Sequence, residues 1–164
     1  MINSYYAVCF VVEDKSNYMI YIDTANSSMM YCVTDQVLLF SELDDLFTFA
    51  LDNDIVIDPN DEVVIYDFDD LKLIVERMEE KVDCSLTIDF WNIIDDICNG
   101  LSISFIGKSK YVDYIYNKLF RGCNTAANTF EYNHTWSEQE VKIIKSVLEE
   151  CIWIASNVVK KVAF

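Results

Sequence analysis

The chain has 164 residues, 52% of them apolar, and carries 28 acidic against 12 basic side chains, a formal charge of −16. That much apolar surface supports a sizeable core in one domain, residues 1–164, and argues against a disordered chain. Three glycines and a single proline, Pro59, argue against phosphate-binding loops and dinucleotide-binding turns, which depend on glycine geometry.

Residues 1–100 hold 22 Asp/Glu against 4 Lys/Arg, a balance of −18, whereas residues 101–164 hold 6 against 8, a balance of +2. A field of that sign repels nucleic acid and anionic membranes and steers basic partners inward. Cys9, Cys32, Cys84, Cys98, Cys123 and Cys151 form no C-x-x-C pair and mostly sit in apolar stretches, as buried free thiols do. No basic leader precedes the first apolar run and no stretch approaches the ~20 apolar residues of a membrane span. A reducing cytoplasm is the expected compartment.

The first forty residues read as antiparallel strands: "YYAVCFVVE", a turn at "DKSN", "YMIYIDT", a turn at "ANSS", then "MMYCVTD" and "QVLLF". Both faces of the second run are fairly apolar, so helices are expected over one of them. "FSELDDLFTFALDND" shifts to helical spacing, with Ser41 as N-cap, Leu43, Leu46, Phe47 and Ala50 inward, and Glu42, Asp44 and Asp45 at the positive end of the helix dipole. "IVIDPNDE" reads as an extended piece and turn, and "VVIYDF" as a strand. "DDLKLIVERMEEKV" reads as a helix with Leu71, Ile74, Val75 and Met78 inward.

The second half reads as helical. "SLTIDFWNIIDDICNG" places Phe90, Ile93, Ile94 and Ile97 on one face and ends at Gly100. "LSISFIG" is extended, and "SKYVDYIYNKLF" aligns Tyr111, Ile115 and Leu119. Residues 121–136 form a loop. The last helix opens with a capping box from Ser137 to Glu140 and runs through Ile143, Ile144, Val147, Leu148, Cys151 and Ile154. The fold class is therefore α+β: a small antiparallel sheet from the N-terminal half packed with helices, and a mostly helical C-terminal half.

Chemistry centres on "EVVIYDFDDL", residues 62–71. A strand ending in D-x-D resembles the first motif of haloacid-dehalogenase-like phosphatases, which implies Asp67 as nucleophile and Asp69 as general acid, and also the metal motif of glycosyltransferases. Leu71 departs from the phosphatase pattern, and Asp95–Asp96 lie in a helical context instead of after a strand. A strand-to-helix turn with aspartate as N-cap explains the same residues more simply. His134, the only histidine, lies in a polar loop, so no metal or catalytic constellation is expected, and no cofactor. Tyr66, Phe68, Phe90, Trp91, Tyr111, Tyr114 and Tyr116 are interleaved with acids. Rings among acids suit recognition of a basic protein, although most of these rings are expected in the core.

The segments "LLFSELDDLFTFALDNDIVID", "EVVIYDFDDL", "DFWNIIDDI" and "YIYNKLFRGCN", spanning residues 37 to about 125, resemble the layout of small immunity proteins encoded beside bacterial toxins, including those of contact-dependent growth inhibition. The resemblance implies a non-enzymatic inhibitor that occludes a cognate toxin, often a nuclease with a basic cleft. It transfers no site residues. Charge clustering points to Glu42, Asp44, Asp45, Asp67, Asp69, Asp70, Glu76, Glu79 and Glu80 as the toxin-binding surface, with no nucleic acid or membrane partner and a monomer or 1:1 complex. The alternatives are a nucleic-acid mimic that blocks a restriction or CRISPR nuclease, and the phosphatase.

Overall fold

The computed structural model describes residues 3–79, 81–124 and 135–160. Strands β1 (Ser4–Val12) and β2 (Lys15–Asp23) form a hairpin, and β3 (Ser28–Met30) extends it antiparallel to β2. A small separate ribbon, β4 (Cys32–Val33) and β5 (Gln36–Val37), leads to helix α1 (Leu43–Asp52). Strand β6 (Val64–Asp67) then returns to β1 in parallel, giving the order β3-β2-β1-β6. The sheet is thus mixed where an antiparallel one was expected: the long crossover through α1 brings β6 back pointing the same way as β1. Helices α2 (Phe68–Arg77), α3 (Cys84–Leu101), α4 (Asp113–Asn124) and α5 (Glu138–Lys160) complete an α+β fold.

Alternation along the strands sorts side chains to two cores. Val8, Phe10, Val12, Met19 and Tyr21 face a large core shared with α2, α3, α4 and α5. Ala7 and Ile20 face a smaller one with Leu46 and Ala50 of α1 and with Ile57. Helices therefore cover both faces. Burial pushes the Cys98 thiol up to about 11 and the Cys151 thiol well above its ordinary range, so these core thiols stay protonated.

Local details depart from the expected pattern for identifiable reasons. The first hairpin turns on Glu13 and Asp14 alone, both left-handed at φ 53° and 58°, in place of the expected Asp14–Asn17 turn. Helix α1 is preceded by Glu42, with no side-chain cap from Ser41, because Phe40 is still tied to Tyr18 by two backbone bonds of 2.8 and 2.9 Å. Helix α2 begins at Phe68, so its inward stripe is Phe68, Leu71, Val75 and Met78, and Ile74 is turned out. Gly100 lies inside α3 over Met29 and Met30; Ser102, at φ 54°, takes the left-handed position that ends the helix. "LSISFIG" closes with a 3-10 turn at Ile106–Lys108. Val112 replaces Tyr111 in the buried row with Ile115 and Leu119. Residues 121–124 are the end of α4, whereas the rest of that predicted loop, with His134, lies mostly outside the described residues.

The capping box at α5 is present in both directions: Ser137 N donates to Glu140 Oε2 at 2.8 Å, and Glu140 N donates to Ser137 Oγ at 3.2 Å. Lys118 of α4 joins it with bonds of 2.8 and 2.9 Å to Glu140 and stands 4.4 Å over the Trp136 ring.

Candidate functional site

From residue 16 to residue 71 the chain carries 13 acidic side chains and neither lysine, arginine nor histidine. The fold distributes these acids unevenly. Glu42, Asp44 and Asp45 are exposed at the start of α1, on the small-core face of the sheet. Asp70, Glu76 and Glu79 are exposed on or just after α2, on the large-core face. Glu80 lies outside the described residues. The proposed binding acids are therefore two groups on opposite faces. Among the described residues the ion pairs are Lys108–Asp95, Lys118–Glu140 and Lys160–Glu13, so none neutralises an acid of either group.

Asp67 and Asp69 are engaged differently. The Asp67 carboxylate accepts from the backbone N–H of Asp69 at 3.0 Å and of Asp70 at 2.9 Å, so it is the N-cap of α2. The expected capping role of the D-x-D turn is thus present. Asp69 reaches across to the β1–β2 turn, where its two carboxylate oxygens accept from Glu13 N at 3.0 Å and Asp14 N at 2.8 Å. Both carboxylates that phosphatase chemistry requires are committed to backbone amides. Among the described residues no group of three or more His, Cys, Asp or Glu side chains is placed to hold a metal ion.

Among the described residues strand β6 is terminal and pairs with β1 alone. Val64 is 50% and Ile65 64% exposed, on opposite faces of the strand. Helix α1 packs on β2, and so leaves Ile65 uncovered on its face. On the other face a groove of about 420 Å³ runs beside the strand, lined by Val64, Ile65, Tyr66, Leu86, Asp89 and Phe90. The end of α1 and the loop before β6 add exposed Leu51 and Val56 among Asp52, Asp54, Asp58, Asp61 and Glu62.

Searches of protein-family models, curated sequences and solved structures return no match to the chain. The site rests on geometry and charge. Among the described residues no helix is long and apolar enough to cross a membrane.

Of the aromatic residues singled out by sequence, Phe68, Phe90 and Trp91 are buried, Tyr66 and Tyr116 half-buried, and Tyr111 and Tyr114 exposed. Sequence reasoning missed the exposure of Val64 and Ile65. It also missed a cleft of about 620 Å³ between β5, the end of α3 and α5, with Val37, Leu101, Ile103 and Trp153 among its walls. The signal for Trp153 was available: it sits one position off the buried Cys151–Ile154 stripe of α5.

A half-buried acid lies behind the sheet. Asp96 of α3 accepts a 2.8 Å bond from the Tyr21 hydroxyl. Burial raises the Asp96 carboxyl above its ordinary range, with Asp95 and Asp23 adding to it and the Tyr21 bond opposing it. The native state then binds more protons than the unfolded chain between the ordinary carboxylate pKa and the raised native one. Stability from this group is fully present below that window and is lost as pH rises through it. Asp96→Asn keeps an acceptor for Tyr21 and removes the titration. We expect it to raise the urea midpoint at neutral pH and flatten its decline from mildly acid to neutral pH; an unchanged profile would discard the assignment.

Proposed function

We propose that the protein is an immunity protein that binds a cognate bacterial toxin domain through its acidic surface, in the cytoplasm, as a stoichiometric non-enzymatic inhibitor. The observation that carries this reading is the cation-free run of 13 acids between residues 16 and 71, many of them turned outward without ion-pair partners among the described residues and set beside exposed apolar side chains. Unneutralised carboxylates raise the capture rate of a basic partner, and apolar anchors among them supply the slow release that tight inhibition needs. A nuclease domain, with a cleft built to hold phosphates, presents the complementary sign. Division of the acids between two faces of the sheet, together with exposed apolar side chains, fits a protein partner better than mimicry of a nucleic-acid strand.

The test is co-expression with the toxin domain encoded beside this gene. Growth rescue and co-purification at fixed stoichiometry are expected. Lysine substitutions at Glu42, Asp44, Asp45, Asp70, Glu76 and Glu79 should slow association by roughly tenfold to a thousandfold at low salt and flatten its salt dependence. Wild-type protein that neither rescues nor binds would overturn the proposal; rescue with unchanged kinetics in the substituted protein would overturn the assignment of these acids.

A further inference from the structure

We infer that β6 is the docking edge, and that its occupant is an extended, lysine- or arginine-bearing segment of a protein partner that adds to the sheet as a fifth strand beside β6. The inference deepens the inhibitor reading and rests on it for the partner's identity. Its own basis is geometric. Sheet edges are ordinarily guarded by lysines, prolines, bulges or a covering helix, because an open row of backbone N–H and C=O groups is a template for another chain. Among the described residues strand β6 ends the sheet, paired on one side only, and presents Val64 and Ile65 to solvent, one from each face. The groove beside it offers Leu86 and Phe90 as an apolar floor for alternate side chains of an added strand.

Charge selects the occupant. Asp61 and Glu62 precede the strand, Asp67, Asp69 and Asp70 end or follow it, and Asp89 lines the groove. No lysine or arginine lies between Lys15 and Lys72. A basic strand finds a carboxylate at each end of the edge. A second copy of this chain, pairing β6 to β6 antiparallel, would bring the Asp61–Glu62 end of each protomer's edge to the end of the other where Asp67, Asp69 and Asp70 lie. Like charges placed opposite each other disfavour that pairing.

The probe is a short peptide of alternating lysine and threonine, compared with the same peptide N-methylated at two adjacent central residues. Methylation blocks hydrogen bonding on both edges of the added strand and leaves charge and side chains unchanged. The unmodified peptide is expected to shift and protect the backbone amides of β6, and methylation to weaken its binding roughly tenfold or more. Ile65→Lys and Val64→Lys, at solvent-exposed positions, should weaken it likewise while leaving the thermal midpoint in place. Equal binding of the two peptides, no binding of either, or a concentration-dependent dimer abolished by Ile65→Lys would each overturn the inference. The toxin arm separates it from the proposed function. If wild-type protein and Ile65→Lys both neutralise the toxin equally, the edge is wrong and immunity stands. If wild-type protein does not neutralise it, immunity falls and the peptide result alone decides the edge.

Discussion

Phe68→Ala is expected to destabilise the protein by about 3–5 kcal/mol, the range for deleting a fully buried phenylalanine. Phe68 is 1% exposed and belongs to a closed ring of four aromatics. Its centroid lies 4.8 Å from Phe10 and 5.0 Å from Phe90, and Tyr66 closes the ring at 5.7 Å from Phe10 and 5.6 Å from Phe90. The four rings come from β1, β6, α2 and α3, so this cluster fastens the terminal strand and two helices to the centre of the sheet. Removal of the Phe68 ring opens a cavity that rigid sheet and helix backbones cannot close, and forfeits one tilted and one edge-to-face ring contact. Against a total stability of roughly 5–15 kcal/mol for a domain, the loss is a large fraction. Phe120→Ala is the control: its ring is 51% exposed on α4, and its loss should be under about 1 kcal/mol. Urea denaturation of the two variants decides the matter. Equal midpoints would show that the ring cluster does not hold the large core together.

What could be seen beforehand divides by range of interaction. Helical spacing placed Leu46, Ala50, Ile94 and Ile97 inward, and all four are buried. The cap by Asp67 and the capping box at Ser137 were legible because each partner lies within three residues. Period shifts by even one residue were less secure. Moving the start of α2 to Phe68 exchanged Phe68 for Ile74 in the buried stripe, because the Asp67 cap starts the helix one residue earlier than the hydrophilic pattern implied. The role of Asp69 was not legible, since the amide it holds most tightly lies 55 residues away. Nor was the position of β6 at the margin. "VVI" reads as a buried strand, and only the pairing order, set by a long crossover, turns two of its side chains to water. Charge clustering located the acidic region correctly as composition, but could not separate carboxylates bound to backbone amides from those left free.

That separation makes the second large effect specific. Asp69→Ala is expected to destabilise the fold by about 2–3 kcal/mol, whereas Asp70→Ala, one residue on, should change it by less than about 1 kcal/mol. Glu13 and Asp14 hold left-handed backbone angles that side-chain-bearing residues adopt at a cost, in a two-residue turn of the kind usually made by Asn-Gly. Their N–H groups point at the two oxygens of Asp69, at 3.0 and 2.8 Å. Hydrogen bonds to a charged acceptor contribute about 1.5–3 kcal/mol each, and water access at this turn brings the pair toward the lower bound. Asp70 is exposed, and its own side chain makes no hydrogen bond among the described residues, leaving it only the helix dipole. Asp69→Asn should recover about half the loss, because the amide oxygen replaces one acceptor and the amide nitrogen repels the second N–H. Hydrogen exchange at Glu13 and Asp14 should quicken in Asp69→Ala and stay unchanged in Asp70→Ala. Unchanged exchange in both would mean that the turn does not depend on Asp69. The consequence reaches the binding experiments: lysine at Asp67 or Asp69 would unsettle the β1–β2 turn and the start of α2 together. A loss of toxin binding there reports on folding, and the charge test belongs at the free carboxylates of α1 and α2.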